Sequence, residues 1–267
     1  MRTTSRLRLE RRLRATHRAD TFLLEQSRRH FEEHYRGLTE PLVTVTIPTR
    51  NRSGLLRERS LPSVLAQTYS KIEVLIVGDH CTDDTRWVAD EVGDPRVRFL
   101  SLSSRDRPTV GVDQWLVAGA HPSNLGLLLA AGEWIAHIDD DDIWHPRHVE
   151  LLLAEATRTD AEFAFGQAQS EDRPEYWRIE GAAPFPTGRW PFRRCDIPHA
   201  CVLYRSYLRF LYYDVEAYTI GDGRAADNLL WQRMGRAGVR VAFVEQVLAR
   251  RPLRPGQEQA AWRDFLV

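Results

Sequence analysis

Lysine is almost missing from this sequence of 267 residues: Lys71 stands alone among 37 basic residues, and the remaining positive charge is arginine. Arginine suits planar contacts to phosphate and carboxylate, but a GC-rich genome produces the same bias and is the simpler origin. An excess of either sign is missing too, because 37 acidic residues balance the basic ones. A chain that lives on nucleic acid carries a large positive field, so nucleic acid is not an expected partner. Cysteine is scarce: Cys81, Cys195 and Cys201 are odd in number and form no CxxC pair, which argues against a disulfide scaffold and a structural zinc site and fits a reducing compartment. Apolar stretches stay far below the roughly 20 residues that span a bilayer. The basic N-terminus is not followed by the apolar core of a signal peptide. A cytoplasmic chain is the expectation.

What is present is enough apolar material, 43% of the residues, for one sizeable core. Residues 1–40 differ from the rest. They begin with the densely basic "MRTTSRLRLERRLRATHR", after which Leu24, Phe31, Tyr35 and Leu38 recur at helical spacing. One reading is a helix, or helix pair, packed on the following domain with its arginines in water. The other is a foot on an anionic membrane, since a basic amphipathic helix binds lipid surfaces; that would seat the chain peripherally at the inner face.

From Pro41 the pattern changes. "LVTVTI" (42–47), "IEVLIV" (72–77), "VRFL" (97–100) and "EWIAHI" (133–138) read as strands. Leu55–Gln67, Asp83–Val92 and the short Leu125–Ala131 read as helices, and Pro146 is placed to open another, "PRHVELLLAEA". Such alternation implies an α/β fold, Rossmann-like, with a mostly parallel, doubly wound sheet flanked by helices. Residues 167–194 have no clear period and are expected to form a long loop or small subdomain. "ACVLYRSYL" and "ADNLLWQRMGRAGVRVAFVEQVLA" restore order, the latter as a helix and a strand. The domain is expected to span 41–250, in halves 41–146 and 147–250, followed by a surface tail with a short helix at 251–267.

In an open α/β sheet, ligands bind beyond the carboxyl ends of the strands. There the sequence places "PTRNR" (48–52), "GDHCTDDT" (78–85) and "DDDD" (139–142). Four consecutive aspartates after a buried strand repel one another unless something neutralises them. A divalent cation does so naturally, since Mg2+ and Mn2+ prefer carboxylate oxygen and keep positions open for phosphate. The alternative is an N-cap cluster for the following helix, although one aspartate would suffice for that.

"VTVTIPTRNR", "LPSVLAQTYSKIEVLIVGDHCTDDT" and "NLGLLLAAGEWIAHIDDDDIWHP", in this order, resemble the nucleotide-sugar-binding half of the family 2, GT-A fold, inverting glycosyltransferases. The resemblance implies a donor that is a nucleotide-diphosphate sugar, an acceptor that is a glycan, a lipid-linked sugar or a small molecule, and Mn2+ or Mg2+ as cofactor. It further implies that Asp139 and Asp141 form the DXD motif, with Asp141 on the metal and Asp139 and Asp140 supporting it or touching the ribose. Pro48, Thr49, Arg50 and Asp79 would lie along the nucleoside. Two departures touch that pocket: Gly78 stands where the family usually has a first aspartate, and Arg50 replaces the aromatic of "PTYN".

Inverting transfer needs a carboxylate to take the acceptor proton. The family's "ED" pair, followed by Leu, Trp and Arg, corresponds here to "ADNLLWQR", making Asp227 the implied base, with Ala226 in place of the glutamate. A helix cap is the alternative for Asp227, and Asp222 is the reserve base. His199 is read either as facing diphosphate or acceptor or as a structural histidine, and His148 is placed on the exposed face of its helix. Trp177 and Trp190 either stack on acceptor sugars or pin the irregular segment.

Other classes compete. "GDGRAAD" (221–227) fits a GxGxxA dinucleotide fingerprint, but too little chain follows for a dehydrogenase. A sugar-phosphate nucleotidyltransferase would have a glycine-rich N-terminal loop with a lysine, and none exists. A non-catalytic nucleotide-sugar or glycan-binding relative of the same fold stays open through Ala226.

Overall fold

The computed structural model describes residues 2–35, 39–103, 116–181, 197–220 and 225–253. Strands β1 (Val43–Thr49), β2 (Ile72–Asp79), β3 (Val97–Leu102) and β4 (Trp134–His137) form an all-parallel block ordered β3-β2-β1-β4. Strand β1 is buried along its whole length, as expected of strands covered on both faces, whose sequences read as continuous apolar runs. Alternation divides the core between the two faces: Trp134 and Ala136 join one apolar cluster, Ile135 the other.

Helix α2 covers residues 53–65, with a π segment at Leu56–Ser60. Helix α3 (Val88–Val92) is entered through a 3₁₀ turn, Asp84–Trp87, and stops at Gly93, whose φ of 63° suits a helix C-cap. Helix α4 (Ala120–Leu129) is longer than the 125–131 expected and begins earlier. It lies close on β1, and a Cβ at Gly126 would come within 2.9 Å of the Thr46 methyl group.

The second half of the sheet is mixed. Beyond β4 the order is β8 (Val202–Arg205), β6 (Phe163–Arg173), β9 (Val241–Arg251) and the two-residue β5 (Ile143–Trp144), while β7 (Tyr176–Glu180) pairs with the outer part of β6. The expected irregular segment at 167–194 is thus corrected: residues 167–180 belong to the β6–β7 hairpin. Its outward positions are charged, and its long partner β9 lies about eighty residues on, so local periodicity carries no sign of it. The tail boundary moves as well, since β9 runs through Arg251; residues 254–267 lie outside the described residues.

Helix α5 (His148–Arg158) starts two residues after Pro146, because β5 occupies 143–144 and residues 145–147 make the turn. His148 is buried rather than exposed. Its ring stacks on Trp144 at 3.9 Å, and its Nδ1–H donates to the Leu248 carbonyl at 3.0 Å.

The N-terminal segment is one helix, α1 (Arg2–Tyr35), packed against α6 (Ala226–Ala237) and the 3₁₀ turns Ser206–Phe210 and Ala217–Ile220. Leu9, Leu13 and Leu24 enter the core with Trp231 and Leu208, and Phe31 packs on Tyr207. The apolar stripe therefore begins inside the basic stretch. Not all its arginines are in water: Arg12 meets Asp214 at 2.6 Å, and Arg28 forks onto the buried Glu162 at 2.6 and 2.7 Å. Leu38 and the Tyr35 side chain lie outside the described residues. Among the described residues, no helix is long and apolar enough to cross a membrane.

Candidate active site

Parallel pairing brings the loops after β1, β2 and β4 to one edge. Thr49 is level with Gly78 across the β1–β2 ladder, and Thr46 is level with His137 on β4, two residues before the aspartates. Asp140 is held at the centre: Thr49 Oγ1 donates to its Oδ2 at 2.8 Å, and Arg52 Nη1 donates to its Oδ1 at 2.8 Å. Burial lifts the Asp140 carboxyl, Arg52 pulls it back and the Asp141 charge raises it again, leaving it at about 6. Arg52 also lies 3.9 Å from Asp141, and Arg59 donates to the Asp141 carbonyl. Asp142 faces Arg251 at 3.5 Å, whose guanidinium also closes on Glu180 at 2.8 Å.

Asp139, the most exposed of the run, faces a histidine. Its Oδ1 lies 3.4 Å from His199 Nδ1, and His199 Nε2 is 2.9 Å from the Tyr213 hydroxyl. The His199 ring stacks with His137 of β4, at 5.1 Å, and with Trp231 of α6, at 6.4 Å. Burial depresses His199, but the Asp139 and Asp227 carboxylates outweigh it and raise its pKa. Burial and the neighbouring His199 charge instead drive His137 well below the usual histidine range. His137 is fixed between Thr46 Oγ1 and the Tyr204 hydroxyl.

The aspartates cap no helix, since the N-cap position of α5 is Arg147. Asp227 stands in the first turn of α6 without being its N-cap, and its Oδ1 accepts the Asn228 N–H at 2.6 Å. The helix-cap alternative for Asp227 is therefore corrected: the N-cap position is Ala225, and no side chain caps the helix. The residues after Asp227 have separate tasks: Leu230 and Trp231 are core, whereas Arg233 pairs with Asp20 of α1 at 2.9 Å.

Pro48, Thr49 and Asp79 are buried at the carboxyl ends of β1 and β2. Arg50 is half-buried, and its Nε has no hydrogen-bond partner among the described residues. The departure at Gly78 has a packing cause: a Cβ there would lie 2.8 Å from the Phe99 ring and 3.2 Å from Cys81 Sγ. Trp177 lies under Arg250, whose guanidinium is 4.4 Å from the ring centre, which accords with the pinning role. Trp190 and Asp222 lie outside the described residues. A dinucleotide fold is excluded, because the residues leading into Gly221 form a 3₁₀ turn, Ala217–Ile220, where that fold needs a strand.

Arg52, Arg59, Tyr213 and Arg251 join the site as well. Arg52 lies inside the "PTRNR" segment and was signalled by position; the others carried no local signal.

Residues 44–215 match the family model described as "Glycosyl transferase family 2". The chain belongs to this family. Among curated relatives, UDP-Glc:alpha-D-GlcNAc-diphosphoundecaprenol beta-1,3-glucosyltransferase WfgD of Escherichia coli is 29% identical over 125 residues, 47% of this chain and 45% of that protein. Chondroitin synthase of Escherichia coli is 36% identical over 117 residues, covering 43% of this chain and 15% of the relative. The chain thus matches less than half the length of these proteins. Among solved structures, Staphylococcus aureus TarS 1–349 in complex with UDP-GlcNAc superposes with a TM-score of 0.58 at 17% identity, over 82% of this chain and 60% of that one. Mannosyltransferase PcManGT from Pyrobaculum calidifontis, in complex with GDP-Man and Mn2+, gives 0.57 at 16% identity, over 96% and 70%. The GT-A-type α/β fold is what these likenesses share with the chain, which carries α1 at its N-terminus.

Proposed function

We propose that the chain is a glycosyltransferase moving a sugar from a nucleotide-diphosphate sugar to an acceptor hydroxyl, with inversion and with Asp227 as general base. The observation that carries this reading is the aspartate run at the carboxyl edge of the parallel sheet, joined through His199 to the neighbourhood of Asp227. Residues 41–146 form the donor half and 147–250 the acceptor half.

The nucleoside lies along Pro48, Thr49, Arg50 and Asp79, with Asp140 locked by Thr49 and Arg52 beside it. The buried Arg50 Nε, without an acceptor among the described residues, suits an oxygen of the donor. Asp139 and Asp141 are the residues that would hold Mn2+ or Mg2+. No set of three or more His, Cys, Asp or Glu among the described residues can hold a metal alone. These hard ions commonly bind through one or two carboxylates together with substrate phosphate. When bound, the ion neutralises charge on the departing diphosphate. Asp227 accepts the proton as the acceptor oxygen bonds to the anomeric carbon and the bond to the diphosphate breaks, inverting the centre.

The acceptor is a glycan, a lipid-linked sugar or a small molecule, and the lipid-linked class is favoured by the printed activity of the WfgD relative. The outer face of α1, with exposed Leu7 and Phe22 among Arg11, Arg14 and Arg18, supports peripheral contact with an anionic membrane. A non-catalytic relative that only binds nucleotide sugar is the second reading, favoured by Ala226 in place of the family's glutamate.

The test is a thermal-shift screen of UDP- and GDP-sugars with Mn2+, followed by transfer and hydrolysis assays. The expected result is stabilisation by one donor, abolished in Asp141→Ala, with turnover. Binding without any turnover favours the non-catalytic reading, and stabilisation by no donor overturns both.

A further inference from the structure

His199 occupies an unusual position between the two carboxylates on which the proposed reaction depends. It enters from a third element, the 3₁₀ turn His199–Cys201 ahead of β8, and its ring stacks with residues tied to both. His137 sits on β4 two residues before Asp139, and Trp231 is one helical turn after Asp227 on α6. Its nitrogens are used at both ends, Nδ1 toward Asp139 at 3.4 Å and Nε2 toward the Tyr213 hydroxyl at 2.9 Å. A carboxylate only accepts, so Nδ1 carries a proton, and in the neutral ring Nε2 then accepts from Tyr213.

The grip continues outward. Tyr213 is edge-on to both His137 and Trp231, and its backbone is clasped by Asn124, whose Oδ1 accepts the Tyr213 N–H and whose Nδ2 donates to its carbonyl, both at 2.9 Å. Asp214, the next residue, is held by Arg12 of α1 at 2.6 Å. Donor-side strand and acceptor-side helix therefore meet around one largely enclosed imidazole, and α1 is tied to the residue after its tyrosine partner.

We propose that His199 is a positioning residue that orients the Asp139 carboxylate and registers the donor half against the acceptor half. It touches no reacting atom and acts through Asp139. This rests on the proposed donor site, so the test separates the two. Partners of this kind, one step removed from a metal-binding carboxylate, change metal affinity or activity by about 10–100-fold when removed.

The whole 267-residue chain is compared as wild type, His199→Phe, His199→Asn and Tyr213→Phe, using UDP or GDP with titrated Mn2+ as probe and thermal shift as readout. His199→Phe keeps the stacked ring and loses both polar contacts. His199→Asn returns a donor near Nδ1, and Tyr213→Phe removes one hydroxyl without altering the packing. The expected result is weaker Mn2+-dependent nucleotide binding by about 10-fold or more in His199→Phe, recovered in good part by His199→Asn, with a smaller loss in Tyr213→Phe. A wild type that binds neither nucleotide overturns the donor-site reading itself. A wild type that binds, with His199→Phe and Tyr213→Phe binding equally well, overturns the positioning role alone. Should His199→Phe fail to fold, Tyr213→Phe decides: unchanged binding there overturns the proposal.

Discussion

Arg28 of α1 forks onto Glu162, whose carboxylate is almost completely buried at the start of β6, with the two contacts at 2.6 and 2.7 Å. Glu162 also accepts from the Tyr207 hydroxyl and the Arg240 N–H, at 2.7 and 2.8 Å. Burial would raise its pKa, but the Arg28 hydrogen bonds, with help from the other two donors, hold it below the usual glutamate value. Helix α1 is thus part of the folded body, because its removal would strand a buried charge.

Arg28→Ala is accordingly expected to destabilise the chain by about 3–5 kcal/mol, the range for removing one partner of a buried pair. For a chain of this size that lowers Tm by roughly 10 °C. Urea unfolding midpoints of the wild type and the variant check it; a change below about 0.5 kcal/mol, typical of surface positions, contradicts the role given to α1.

Acid sensitivity should come in part from His148. Burial, the largest influence, depresses its pKa to about 3 from the ordinary 6.5, although the Leu248 carbonyl works the other way. Between those values the unfolded chain takes up a proton that the folded one refuses. Stability is therefore complete above about pH 6.5 and falls as the pH drops toward 3, at up to about 1.4 kcal/mol per unit. In His148→Phe, which retains a ring against Trp144, the unfolding free energy should fall less steeply between pH 6 and 4 than in the wild type. Parallel slopes would remove His148 as a cause.

Asp227→Asn should retain nucleotide binding in Mn2+ and lose transfer by about 10²–10⁴-fold, the usual contribution of a positioned base. The amide still accepts the Asn228 N–H, so the start of α6 should survive and Tm should change little. Transfer at the wild-type rate would show that the base is elsewhere.

Gly78 offers a test of why the family's usual aspartate is missing. Gly78→Asp drives a Cβ to 2.8 Å from Phe99, and overpacking of this kind costs about 1–3 kcal/mol. Phe99→Ala in the same chain should recover part of the loss. If Gly78→Asp alone were neutral in thermal unfolding, packing would not be the reason.

How much of this was legible in the sequence depended on how local the cause was. Strands β1, β2 and β4 announced themselves because strands buried on both faces are continuous runs of β-branched and apolar residues, and the acidic loops followed from strand polarity alone. The β6–β7 hairpin stayed hidden because Glu171, Asp172, Arg173 and Arg178 give it two polar outer faces, while its pairing depends on the distant β9. Arg251 looked like the first residue of a tail; only the β6–β9 register carries it back to Asp142 and Glu180. His199 was visible as a lone histidine, but its meaning lay in His137, Tyr213 and Trp231, three side chains from three segments.

The contact between Arg28 and Glu162 also decides how membrane binding must be tested. Deleting α1 would expose Leu208 and Trp231 and strand Glu162, so a truncated chain could bind vesicles simply because it is misfolded. The outer face can instead be altered alone: Leu7 and Phe22 are 64% and 59% exposed, and Arg11 and Arg18 point the same way at helical spacing. Arg11→Glu with Arg18→Glu removes the attraction to anionic lipid, worth about 1 kcal/mol per basic residue near the surface, and reversing each sign adds repulsion. The double variant should sediment with phosphatidylserine vesicles at least 30-fold less tightly than the wild type, with unchanged Tm, while Phe22→Ser loses less. Neutral vesicles should bind neither chain. Equal sedimentation of both with anionic vesicles would exclude α1 as the contact, and preferential retention on duplex DNA would identify a different polyanion as its partner.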